Sequence, residues 1–178
     1  EVSDLPPLDD IDGVYISGYA LLDFRSRDAV IAMIKKIKAA GKPIFFDPTT
    51  TGALKVVSLE EALSWVAMMD GILLNSEEAL YLGNSKDLVE AEKNLQKYTP
   101  LVVIKLGSKG AMAVDGSESA KVPAVTTNVV DTTGAGDSFA AGFIPKWLET
   151  SDLTQALTAG AALAAKCVSS VGARPPLN

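Results

Sequence analysis

Asp131-Thr132-Thr133-Gly134-Ala135-Gly136-Asp137-Ser138-Phe139-Ala140-Ala141-Gly142 is the most informative segment of the chain. An apolar, strand-like run ends near Val130, a turn of small residues follows, and a helix is predicted to begin at or near Asp137. Gly134 and Gly136 free the backbone to turn and to approach a ligand closely. The first amides of a helix lack intrahelical partners and point outward at the positive end of its dipole, which makes an anion site. Asp137 then lies beside the anion. One place would offer charge stabilisation for a phosphoryl group and a base for a hydroxyl proton. An isolated GAGD, however, is more simply read as a glycine turn and an N-cap aspartate. Two other glycine motifs fail outright. A dinucleotide fingerprint would need glycine where the chain has Phe139, and no GxxxxGK[ST] occurs anywhere.

Upstream of this stretch, short apolar runs alternate with amphipathic ones. Strands are predicted at Gly13 to Ser17, Pro43 to Phe46 and Ile72 to Leu74. Helices are predicted from Arg27 to Ala40, where Val30, Ile31, Ile34 and Ile37 share a face, and from a Ser58/Glu61 capping box to about Met69. Asn75 or Ser76 should cap a short helix ending at Leu82 before Gly83, and another helix should follow Ser85. Such βα units imply a parallel sheet with right-handed crossovers. From Leu101 the pattern changes to hairpin-like strands at Leu101 to Lys105, Ala111 to Val114, Ser119 to Val122 and Thr127 to Val130. Two helices close the chain, at Asp137 to Leu148 with a kink expected at Pro145, and at Leu153 to Ser169. The expectation is one α/β domain over residues 1–178, a three-layer open sheet, mostly parallel, with helices on both faces.

Composition narrows the chemistry. With 178 residues, 48% of them hydrophobic and 21% charged, the chain suits a globular domain with a sizeable core. A net charge of -6 without a basic cluster argues against nucleic acid or an anionic membrane as partner. There is no histidine and a single cysteine, Cys167. Ser-His-Asp chemistry, thiolate zinc clusters and an internal disulfide are therefore out of reach, and a reducing, cytoplasmic setting is suited. No run is apolar enough to span a bilayer. The start, Glu1-Val2-Ser3-Asp4, has no methionine and leads straight into a strand-like run, so residues are expected upstream.

DTTGAGDSFAAGF resembles, nearly without departure, the C-terminal signature of the ribokinase-like (phosphofructokinase-B) carbohydrate kinases. Asn75-Ser76-Glu77-Glu78 looks like that family's NxxE motif. Ile104-Lys105-Leu106-Gly107-Ser108-Lys109-Gly110 is similar to its nucleotide-contacting strand and turn, and Ala161 to Pro175 to its final helix and tail. The resemblance covers essentially the whole chain and implies a ribokinase-like sheet that is incomplete on its N-terminal side, with the sugar-binding and lid segment lying upstream.

The resemblance further implies transfer of a phosphoryl group from ATP to a hydroxyl of a sugar. Asp137 would be the base, and the backbone of Gly134, Ala135 and Gly136 the anion hole. Asn75 and Glu78 would organise Mg²⁺ and the ATP phosphates, Glu78 through water. Lys105, Gly107, Ser108 and Gly110 would lie against ATP, and Asp131 and Thr133 match positions that hold a monovalent cation, K⁺, in many members. Pro176 departs from the polar residue expected there. The family pattern also admits a nucleoside or vitamin-precursor acceptor, a non-catalytic nucleotide-binding regulator, and a homodimer of the full-length protein. The chain alone is expected to have little or no activity. Plainer readings stand beside these. Asn75 can be a helix cap, Glu78 a solvated first-turn acid, Lys105 a sheet-edge charge and Ser108 a turn residue. Asp47 ends a strand, where open α/β sheets place ligands, and capping the turn with Pro48 is an equal reading. Cys167, Trp65 and Trp147 read as packing residues.

Overall fold

The computed structural model describes residues 5–175, so Glu1 to Asp4 and Pro176 lie outside the described residues. The chain forms two compact units, one up to Val102 and one from Val103. The first contains β1 (Val14–Ser17), α1 (Tyr19–Leu22), α2 (Arg27–Ala39), β2 (Ile44–Asp47), α3 (Thr51–Leu54), α4 (Leu59–Val66), β3 (Gly71–Asn75), α5 (Ser76–Leu82) and α6 (Leu88–Leu95). β1 and β2 pair in parallel from Val14 opposite Ile44 to Ser17 opposite Asp47, and β2 pairs in parallel with β3. Strands β2 and β3 are apolar nearly throughout because a parallel strand is covered on both faces. Phe45, Phe46, Ile72, Leu73 and Leu74 are all buried and form the core of this unit with Trp65.

β4 (Leu101–Lys105) begins in the first unit and ends in the second. A 3-10 turn (Gly107–Lys109), β5 (Ala111–Asp115), β6 (Glu118–Val122), α7 (Ala135–Thr150) and α8 (Leu153–Val168) follow. β5 and β6 form an antiparallel hairpin, with Ala111 opposite Val122 and Asp115 opposite Glu118. The six strands order as β1-β2-β3-β4-β5-β6. The expected class, an open and mostly parallel α/β sheet with helices, is thus the one observed.

α7 packs along α8 at close range. A Cβ added at Gly142 would lie 2.6 Å from the carbonyl oxygen of Ala159, so the second helix can approach only because that position is glycine. Phe139, Phe143 and Trp147 stack along α7 one turn apart, with centroids 6.0 and 6.4 Å apart. The helix continues through Pro145. Pro145 and Ala141 are both exposed, so the carbonyl that loses its helical donor is on the solvent side. No helix among the described residues is long and apolar enough to cross a membrane.

Three local expectations change. Thr127 to Val130 is not a strand. The Val130 amide donates to the Val168 carbonyl at the end of α8 (2.7 Å) rather than to a neighbouring strand, and Val129 and Val130 are exposed. The polar run after Asp47 contains a short helix, α3, capped by Thr50, whose hydroxyl accepts from the Ala53 amide at 3.2 Å. Only half of the Ser58/Glu61 capping box forms. Ser58 Oγ accepts the Glu61 amide at 3.0 Å, but the Glu61 carboxylate pairs with Arg27 at 2.7 Å, whose guanidinium also lies over the Trp65 ring.

Candidate active site

The turn before α7 carries the most specific geometry. Gly134 is the helix N-cap in the left-handed conformation (φ 76°), and a Cβ there would stand 2.1 Å from the Ala173 carbonyl oxygen. Only glycine meets both conditions. The Ala135 amide closes the turn on the Thr132 carbonyl at 3.2 Å, and the Ser138 amide donates to the Gly134 carbonyl at 2.9 Å. Between them the Gly136 amide donates to no protein acceptor among the described residues. Of the three residues expected to form an anion hole, then, Gly136 keeps an available amide, while that of Ala135 also serves the turn.

Asp137 follows in the first turn of α7 and is solvent-exposed. Lys105, half-buried at the C-terminal end of β4, brings its ammonium to the same place: a Cβ on Gly136 would be 3.3 Å from Lys105 Nζ. Lys105 is therefore part of the turn's surroundings rather than a charge on a distant edge. An open amide, a nearby ammonium and an exposed carboxylate in the first turn of one helix can together bind an anion and accept a proton.

Asp131 and Thr133 lie at the base of this turn. Asp131 Oδ1 accepts the Thr133 amide at 2.9 Å and Oδ2 the Gly172 amide at 3.1 Å. The Thr133 amide, then its hydroxyl, then the Gly172 amide hold the Asp131 carboxyl below the usual carboxylate range. The Thr133 carbonyl accepts the thiol of Cys167 at 3.5 Å, and Cys167 is fully buried, as a packing residue should be. In the turn after β4, the Leu106 amide donates to the Gly110 carbonyl at 2.8 Å. Gly107 and Ser108 are exposed there, whereas Gly110 is buried with φ 95° and could not carry a Cβ without meeting the Val122 carbonyl.

Asn75 and Glu78 belong to the first unit and form a complete capping box on α5. Asn75 Oδ1 accepts the Glu78 amide at 2.9 Å, and the Glu78 carboxylate accepts the Asn75 amide at 2.7 Å and its side-chain NH₂. Glu78 is only 1% exposed, so it is not the solvated acid that a first-turn glutamate usually is. Asp47 is also buried, and its Oδ1 accepts the Thr49 amide at 3.0 Å. Thr49 has φ 85°, an outlier for a β-branched residue, and the hydroxyls of Thr49 and Thr51 are buried without a hydrogen-bond partner among the described residues. Sequence offered no signal for this strained loop, because threonine is among the residues least expected at positive φ.

A fructokinase from Klebsiella pneumoniae is 32% identical over 146 residues, 79% of this chain and 48% of that protein. Among solved structures, adenosine kinase from Sinorhizobium meliloti superposes with TM-score 0.87 at 28% identity, over 98% of this chain and 56% of that one. An E. coli protein described as ribokinase II, solved with ATP and Mg²⁺, gives TM-score 0.85 at 27% identity, over 93% and 55%. The chain thus spans about half the length of the curated relatives it matches. The sequence profile described as pfkB family carbohydrate kinase matches residues 2–178, the glycine turn, the lysine strand and the capped NxxE helix included. The chain belongs to the pfkB family of carbohydrate kinases.

Proposed function

We propose that the protein carrying this chain transfers the terminal phosphoryl group of ATP to a hydroxyl of a sugar or sugar-like alcohol. The observation that carries the reading is the presence together, at the start of α7, of an amide with no acceptor among the described residues (Gly136), an ammonium (Lys105) and an exposed acidic residue (Asp137). Asp137 accepts the proton of the acceptor hydroxyl. The alcohol oxygen then forms its bond to phosphorus as the bond to ADP breaks, and charge on the phosphoryl oxygens meets the Gly136 amide. Such catalysis is positioning plus electrostatics, so few groups suffice.

Each unit taken by itself offers residues that suit a group this reaction needs. Glu78 is a buried carboxylate fixed by Asn75, suited to orienting water on a Mg²⁺ ion, which keeps several waters when bound. When bound, Mg²⁺ would neutralise charge on the phosphates. The exposed Gly107 and Ser108 turn is where we place the nucleotide, and Lys105 faces its phosphate end. A cytosolic setting is in keeping with one buried thiol.

The likeness to adenosine kinase favours a second acceptor class, a nucleoside. ADP release by the full-length protein, measured over a panel of sugars and nucleosides with ATP and Mg²⁺, decides between them. Turnover with a member of one class identifies the acceptor. Nucleotide binding with no ADP release for any acceptor would replace the kinase reading with that of a regulator.

A further inference from the structure

We propose that Asp131 is a positioning residue: its carboxylate ties the segment after α8 to the turn that opens α7 and so fixes where the Gly136 amide points. The proposal rests on the anion-site reading above.

Apolar burial does little to hold the turn or the segment beside it. Thr132 and Thr133 are exposed, and the segment after α8 carries Val171 at 83% exposure, so apolar burial does not fasten that segment. Polar contacts do. Asp131 Oδ2 accepts the Gly172 amide and Oδ1 the Thr133 amide, so one ionised side chain bonds both pieces of backbone. The neighbouring contacts follow the same line. The Val130 amide donates to the Val168 carbonyl at 2.7 Å, and the Cys167 thiol reaches the Thr133 carbonyl. The Ala173 carbonyl occupies the space beside Gly134 that any Cβ would need. Val130, Asp131 and Thr133 are thus bonded to the end of α8 and the residues just beyond it, and Gly134 lies against that segment. Of these contacts only the Asp131–Gly172 bond is both charge-assisted and made to the exposed segment itself. Without it, residues 171–173 lose their strongest hold, the Ala173 carbonyl leaves Gly134, and the Gly136 amide loses its fixed direction. A donor must be held in place before the reaction to stabilise developing charge, and small displacements of it are costly.

The alternative role for Asp131 is a ligand to a monovalent cation, and the experiment separates the two. In D131N the side-chain oxygen can still accept the Thr133 amide, but the NH₂ group cannot accept that of Gly172. In the full-length protein, kcat should fall at least about tenfold while KM for ATP stays within roughly threefold, the pattern of a lost transition-state contact. Amide exchange at residues 132–137 and 171–173 should quicken about tenfold or more, with β5 and β6 unchanged. Both effects should persist from low to high potassium. Recovery of activity as potassium is raised, or unchanged exchange at 132–137, would overturn the proposal. The exchange readout does not depend on turnover, so it stands even if no acceptor is found. Wild-type protein supplies a test that needs no variant: the Gly172 amide should exchange far more slowly than those of Val171 and Arg174, and equally fast exchange at all of them would also refute the tie.

Discussion

Lys105 and Gly136 meet: the ammonium at the end of β4 lies where a Cβ on Gly136 would be 3.3 Å away. A strand of one motif and a turn of another, separate in sequence, therefore face one small volume. In an open α/β sheet that volume lies where ligands bind, beyond the carboxyl ends of the strands.

If Lys105 supplies charge to a phosphoryl group there, Lys105→Met should lower kcat by about 10²-fold or more, the scale seen when one preorganised donor is removed. Lys105→Arg should recover part of the loss, because the charge is kept but the shape differs. Steady-state kinetics of both variants check this, and equal activity of Lys105→Met and wild type would remove Lys105 from the site.

Gly134→Ala should disturb the turn twice, through its positive φ and through the carbonyl of Ala173. A stability loss of about 1–3 kcal/mol is expected from such backbone strain. Denaturant unfolding measures it, and a loss below a few tenths would mean that the terminal segment yields easily. Activity should fall further than stability alone explains.

Ser58→Ala tests a cap remote from the chemistry. Removing the hydroxyl that accepts the Glu61 amide should cost about 1 kcal/mol. Because Glu61 is already paired with Arg27, no second half of a capping box is lost with it. Turnover should be unchanged. A loss of activity here would reveal a coupling that these contacts do not explain.

Acid should weaken the fold through carboxylates that accept hydrogen bonds in the folded chain. The Gln155 amide and then its side chain hold Asp152 below the usual range, the amide and hydroxyl of Thr133 do the same for Asp131, and Arg25 holds Asp23 at about 2. A carboxyl whose pKa is lower folded than unfolded adds stability above its unfolded value, and that contribution is lost as pH falls through the folded one. These groups should therefore leave the melting temperature flat from neutral pH to about 5 and lower it below about 4, near the unfolded carboxylate value. All three remain partly open to solvent, so each effect is small and screened by salt. Thermal melts across pH should show a shallower acid slope for Asp152→Asn than for wild type.

Much of this arrangement is legible in sequence, and the reasons differ by segment. β2 and β3 are apolar runs bounded by turn residues, so their burial is written in their composition. The start of α7 is readable because Gly134 and Gly136 meet a backbone demand that few other residues can. Thr127 to Val130 misled because its β-branched residues match strand propensity, whereas its backbone is bonded to the end of α8. The tie between Asp131 and Gly172 joins positions far apart in the chain, and no local pattern announces it. Nor does sequence distinguish the buried Glu78 from a solvated one, because burial depends on what packs against α5.

In the proposed reaction Asp137 takes the acceptor's proton while the Gly136 amide holds the phosphoryl group. Turnover of Asp137→Asn in the full-length protein, with ATP binding measured alongside, tests it most directly. A fall of about 10²- to 10⁴-fold in kcat is expected, the usual contribution of a general base, with ATP affinity little changed. Near-normal turnover by Asp137→Asn would contradict it.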